Sequence, residues 1–215
     1  MKRTLIFVCF VVFASLKVDA QQTPQFSQNM FNKLANNPGF AGSMEAICAT
    51  ALHRQQWIGF GDGRPVTTNL SVDAGIPAIY GGVGLNIVNE TIGQYDNLGL
   101  QLSYAYRTEL GNGQVGTGIS LGMYQSSLDG SSLNPANSGD PALPTADAQG
   151  SALDFGFGVY YNNEDAYIGL SSSNITEPTI EWENATTQKL VRHYYLISGY
   201  YYQVSNAISL NPSIF

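Results

Sequence analysis

The sequence predicts an all-β protein, an antiparallel transmembrane β-barrel of the outer-membrane type. Three observations predict it. Segments of about ten residues alternate apolar with small or polar side chains, the connections between them alternate short and long, and a secretory leader precedes a chain with no later apolar run of helix-spanning length. A period of two is a strand's period. In 98–108, Leu98, Leu100, Leu102, Tyr104 and Tyr106 share one face, opposed by Gly99, Gln101, Ser103, Ala105 and Arg107. Residues 115–124 repeat the code, with Val115, Thr117, Ile119, Leu121 and Met123 opposed by Gly116, Gly118, Ser120, Gly122 and Tyr124. So do residues 153–162, where Leu153, Phe155, Phe157, Val159 and Tyr161 oppose Asp154, Gly156, Gly158, Tyr160 and Asn162. A soluble sandwich would alternate in the same way, so the other two observations place the strands in lipid.

The leader comes first. Met1-Lys2-Arg3 is basic, Thr4 to Leu16 is apolar, and Val18-Asp19-Ala20 supplies small residues ahead of a cut at Gln21, which together read as a signal peptide over 1–20. Removing Lys2, Arg3, Lys17 and Asp19 with it takes nine basic and sixteen acidic residues to six and fifteen, a mature charge of −9. That balance disfavours nucleic-acid binding. Cys9 leaves with the leader, so Cys48 stands alone and no disulfide framework is possible. A mean hydropathy of −0.06 fits a barrel, in which only alternate residues face lipid.

Residues 21–45 carry no strand code. They hold a turn at Asn36-Asn37-Pro38-Gly39 and an amide-rich stretch with scattered Phe26, Phe31, Leu34 and Phe40, which reads as a periplasmic or barrel-plugging segment. Residues 46–215 form the barrel region, with strands expected at 46–57, 66–76, 82–88, 98–108, 115–125, 152–161, 166–172, 188–203 and 207–215. The connections 77–81, 109–114, 162–165 and 205–206 are short, while 59–65, 89–97, 126–151 and 173–187 are long. Short periplasmic turns and long external loops produce that alternation. Tyr80, Tyr106, Tyr161, Tyr167 and Tyr201 fall at the expected periplasmic rim, and Trp57, Tyr124 and Tyr194 toward the other, as interfacial girdles require.

On the inward face, Asp73, Arg107 and Asp154 are charges that hydrocarbon would penalise and a polar lumen tolerates. The long loops carry Asp62, Glu90, Asp96, Asp129, Asp140, Asp147, Glu177, Glu181 and Glu183, nine of the fifteen mature acids, which keep them solvated. No calcium-loop spacing occurs, and no metal or cofactor is expected. Catalysis would need a nucleophile, a base and an orienting group at one rim. The chain offers only His53 and His193, each beside an arginine and without a nucleophile motif, so no enzyme is expected.

Ordered blocks along the chain then carry a resemblance. Gln25-Phe26-Ser27-Gln28, Asn37-Pro38-Gly39-Phe40-Ala41-Gly42-Ser43 and Arg54-Gln55-Gln56-Trp57 are followed by Ser103-Tyr104-Ala105-Tyr106-Arg107, Phe155-Gly156-Phe157-Gly158-Val159-Tyr160-Tyr161, Tyr167-Ile168-Gly169-Leu170-Ser171, Arg192-His193-Tyr194-Tyr195 and Leu210-Asn211-Pro212-Ser213. This series resembles the PorP/SprF family of type IX secretion outer-membrane proteins. Asn37, Pro38, Ala41, Gly42, Arg54, Gln56 and Trp57 stand at its motif positions, with Gly39-Phe40 where members more often have Ala-Tyr. The resemblance implies a non-enzymatic component of the secretion and gliding machinery in the cell outer membrane. It implies partners among the other type IX components, secreted surface cargo such as adhesins, and outer-membrane lipid. A passive outer-membrane channel or apolar-solute transporter would share the barrel. Nine strands is an odd number, and single-chain bacterial barrels close on even ones, so the chain is expected to be an incomplete part of a larger barrel.

Overall fold

The computed structural model describes residues 26, 28–131, 133, 146–182 and 188–215. The expected leader lies outside these residues, as do the loop acids Asp140 and Glu183. The strands are β1 (Cys48–Gln55), β2 (Val66–Ile76), β3 (Gly81–Ile92), β4 (Tyr95–Leu110), β5 (Gly113–Leu128), β6 (Ala148–Asn162), β7 (Ala166–Ser173), β8 (Thr179–Ile180), β9 (Gln188–Lys189), β10 (His193–Tyr200), β11 (Tyr202–Ser205), β12 (Ile208–Leu210) and β13 (Ser213–Ile214). Nine of them form one antiparallel sheet in the order β1-β2-β3-β4-β5-β6-β7-β10-β13. The sheet curls into a half-barrel. Neighbour-to-neighbour pairing follows from tight turns, of which Gly111 (φ +64°) supplies one between β4 and β5. Among the described residues no helix is long and apolar enough to cross a membrane.

Register sorts the side chains, because residues opposite one another across an antiparallel pair point the same way. Leu85, Leu102, Leu121 and Phe155 form one rung of the convex face, while Gly84, Ser103, Ser120 and Gly156 form the adjoining rung of the concave face. The convex rows leave Leu70, Leu102, Ile119, Leu121, Phe155 and Leu170 exposed, and the concave rows bury Asn69, Ser71, Asn86, Ser103 and Ser120. Water as the only solvent would select the reverse. Apolar side chains outward and polar ones inward is the distribution a lipid surround selects. Leu121 lies mid-belt, so Leu121→Arg is expected to lower stability in lipid by about 2–4 kcal/mol, measured by denaturant titration in bilayers.

Several expected elements are redrawn. The expected long loop 89–97 is mostly strand, since β3 runs to Ile92 and β4 starts at Tyr95, leaving a tight turn at Gly93 (φ +59°). Backbone pairing continues there through Asn89, Thr91 and Asp96, where apolar alternation no longer marks it. The expected strand 188–203 divides into three. Gln188–Lys189 pairs with Thr179–Ile180 in a separate ribbon, and the chain breaks again at Tyr201, whose N–H is donated to the Asp165 carbonyl at 2.6 Å. Burial explains the first break, because Ile180, Trp182 and Leu190 pack with Leu128 and Ala148 at the long-loop end of β5 and β6. The expected strand 207–215 likewise splits into β12, paired with β11, and β13, paired with β10. Tyr167 lies at the short-turn end of β7 as expected, but it points inward and is buried instead of facing the interface.

Candidate functional site

The concave face is occupied by the chain's own N-terminal segment, residues 28–45. Two short 3-10 turns shape it, Asn29–Phe31 and Pro38–Phe40. Asn37 caps the second, its Oδ1 accepting from the Gly39 N–H at 2.8 Å, and Pro38 supplies the pre-set φ that a first turn favours. Gly42 takes φ +72°, a conformation that favours glycine.

The segment approaches the sheet this closely because glycines of the strands lack side chains at the contact points. A Cβ on Gly118 would stand 2.5 Å from the Gly39 nitrogen, one on Gly82 2.6 Å from the Ala41 oxygen, and one on Gly84 2.7 Å from Leu34 Cδ1. In the other direction, a Cβ on Gly39 would stand 2.8 Å from the Gly116 oxygen and 2.9 Å from that of Gly158. The sheet therefore offers a glycine cradle across β3, β5, β6 and β7, into which Leu34, Pro38, Gly39, Ala41 and Gly42 fit.

Polar groups fix the seat. Asn37, 0 % exposed, donates from Nδ2 to the carbonyls of Val159 at 3.1 Å and Leu170 at 3.4 Å. Asp73 Oδ2 accepts the Gly42 N–H at 2.9 Å. Arg107 donates to the Gly39 carbonyl at 3.3 Å, to Gln114 Oε1 at 3.2 Å and to Asn162 Oδ1 at 2.7 Å. A buried amide ladder runs from Asn32 to Asn69 and on to Asn86, the last step 2.7 Å, with the Ser71 hydroxyl donating to Asn32 Oδ1 at 3.0 Å. The Ser171 hydroxyl donates to the Asn36 carbonyl at 2.5 Å. Nearly every polar group of the segment that enters the curl thus finds a partner, as burial demands. Toward the short-turn end, Lys33 Nζ lies 3.5 Å from the centre of the Tyr167 ring, and burial pushes its ammonium down to about 8. Phe40 meets Tyr160 edge-on at 5.2 Å, and Tyr167 follows Tyr160 at 6.0 Å.

Of the residues singled out in the sequence, the structure brings Asn37, Pro38, Ala41, Gly42, Asp73 and Arg107 together in this seat. Asp154 also faces inward but serves a different element: it accepts from Asn174 N at 2.8 Å and from Thr176 Oγ1 at 2.9 Å, tying down the chain after β7. Arg54, Gln56 and Trp57 lie at the long-loop end of β1, away from the seat. Arg54 is on the inner face opposite Thr67, Gln56 donates its N–H to the Pro65 carbonyl at 3.0 Å, and the Trp57 ring rests on Phe60 at 5.8 Å. His53 faces outward beside Thr68 and His193 inward beside Tyr195, so no site joins the two. Among the described residues no three His, Cys, Asp or Glu side chains converge on a metal-sized site. The glycines of the cradle and the partners Asn32, Asn69 and Ser171 escaped sequence reasoning. The available signal was glycine recurring on one face of successive strands, where a close backbone approach is a usual cause.

An antiparallel sheet with an apolar convex face and a polar concave face lined by its own residues 28–45 defines the wall of an outer-membrane-type β-barrel. Residues 18–215 match the family described as type IX secretion system membrane protein PorP/SprF, and the chain belongs to that family. Comparison with curated proteins and with solved structures returns no match.

Proposed function

We propose that this protein acts in the outer membrane as a stoppered, non-enzymatic component of the type IX machinery, serving the secretion or surface anchoring of cargo adhesins rather than conducting solutes. Family membership supports the machinery. The observation that supports the finer reading is the occupied concave face, where Pro38–Gly42 packs against Gly82, Gly118 and Gly158. Its partners on this reading are other type IX components in the periplasm and outer membrane, the secreted cargo, and outer-membrane lipid. On this reading the turns after β2, β4 and β6 face the periplasm, and the other end, with its long loops and the tight turn at Gly93, faces outward, where cargo emerges.

Planar-bilayer recording tests it. The intact protein is expected to give no steady current, and removal of residues 28–45 to give step-like openings. Steady ohmic conductance from the intact protein would instead favour a passive outer-membrane channel or apolar-solute transporter.

A further inference from the structure

Most glycines of the concave face are crowded, Gly156 by the Ser120 hydroxyl and Gly150 by Ile180 and Trp182. Gly82, Gly84, Gly116, Gly118, Gly158 and Gly169 are each pressed by atoms of the N-terminal segment, so their missing side chains are accounted for. Gly99 and Gly122 are not. They face inward as diagonal neighbours on β4 and β5, and a Cβ on either would meet nothing nearer than 3.7 Å or 3.6 Å, ordinary van der Waals contact. Glycine weakens a strand interior, and where it persists another backbone or a ligand commonly approaches. Among the described residues, only their own neighbouring strands come within 4 Å, and the N-terminal segment does not. They border a cavity of about 140 Å³. Its floor on the short-turn side is the seated segment at Ala35 and Asn36, and Leu190 and Asn174 border it near the packed apolar cluster at the long-loop end.

The lining fixes what could enter. Among the described residues no lysine or arginine borders the cavity, and both oxygens of Asp154, the only carboxylate among them, are taken by the chain after β7. A charged ligand would find no counter-charge. What the wall does offer is neutral: the amides of Asn86 and Gln101 and the rings of Tyr124 and Tyr195. Asn86 is 5 % exposed, and its Oδ1 accepts from Asn69. Gln101 donates from Nε2 to Ser120 at 3.0 Å. Amides present donors and acceptors together, matching hydroxyls that are also both. Aromatic faces suit the apolar C–H surface of a sugar ring. The seated segment closes the short-turn side, so the space suits a compact ligand rather than a threading chain. We propose that this chamber binds a single neutral sugar ring, entering from the long-loop side. The assignment is independent of the secretion reading.

Saturation-transfer NMR on the intact protein in nanodiscs, with glucose, galactose, mannose and N-acetylglucosamine as separate probes, tests the proposal. At least one probe is expected to give transfer to its ring C–H protons, and Gly122→Leu, which fills the chamber, to reduce that transfer at least tenfold. Should Gly122→Leu fail to assemble, as judged by loss of heat-modifiable migration, Gln101→Leu serves in its place and is expected to reduce transfer likewise. Transfer from none of the four sugars, or transfer equal in the wild type and the chamber variant, would overturn the assignment. So would transfer confined to an uncharged dipeptide amide run in parallel.

Discussion

Gly118→Val is expected to expel the N-terminal segment from the half-barrel. A Cβ at position 118 would stand 2.5 Å from the Gly39 nitrogen, and that neighbour is backbone held by the Asn37 cap and the Arg107 guanidinium, so it cannot yield as a side-chain tip can. The readout is tryptic cleavage after Lys33, whose side chain lies over the Tyr167 ring when the segment is seated. Cleavage is expected to accelerate by at least about tenfold, the equivalent of about 1.4 kcal/mol of lost docking. Gly122→Val is the matched control. It lies on the same strand and face and carries the same change in strand preference, but its Cβ meets nothing within 3.6 Å, so Lys33 should stay protected. Equal protection in Gly118→Val and the wild type would show that the segment does not depend on the cradle.

The second large effect is at Asn37. Its amide serves three backbone groups at once, accepting from Gly39 and donating to Val159 and Leu170, so Asn37→Ala leaves the Gly39 N–H without its acceptor and removes the second bond to two carbonyls that lie within the β6–β7 pairing. The orphaned N–H, which is the lost cap, costs about 1–3 kcal/mol, and each forfeited bond to a carbonyl about 0.5–1.5 kcal/mol. A destabilisation of about 2–4 kcal/mol is expected, short of the full sum because relaxation and water recover part of it. Asn37→Asp separates the contributions. Aspartate caps a turn as well as asparagine does in general, yet here it would set a carboxylate against two carbonyl oxygens. The expected order of stability in a urea titration is wild type, then Asn37→Ala, then Asn37→Asp. An aspartate variant as stable as the wild type would mean that the cap, and not the two donated bonds, holds the turn.

The half-barrel was largely legible because its code is local. Alternation along β4, β5 and β6 gives the strand, the face and the pairing order at once, and the structure keeps all three. Illegible parts were those decided by tertiary packing or by backbone alone. Nothing in the order of residues 188–203 says that Leu190 will be drawn into a cluster with Ile180 and Trp182 and break the strand. Pairing beyond the belt, from Asn89 to Ile92, needs no apolar side chain and so leaves no periodic mark. At the seat, Asp73 and Arg107 stood out because charge on an inward position is conspicuous. Asn32 and Asn69 did not, since an amide in an amide-rich chain carries no contrast until its partner is known. Glycine was visible at every cradle position, but what pressed on each lay tens of residues away in the chain.

That distance has a consequence for assembly. Asn36 is held by Ser171, 135 residues later in the chain, so residues 28–45 wait for β7 before their seat exists. The seat also demands that β3 to β7 be in step. A slip of one residue in any strand would turn its glycines to the lipid side. It would bring a neighbour such as Thr117, Ile119, Phe157 or Val159 to where Pro38 and Gly39 must lie. Only a correctly aligned wall can accept the segment. A seated segment therefore reports that β3 to β7 are aligned, because the close packing at the glycines admits no other register.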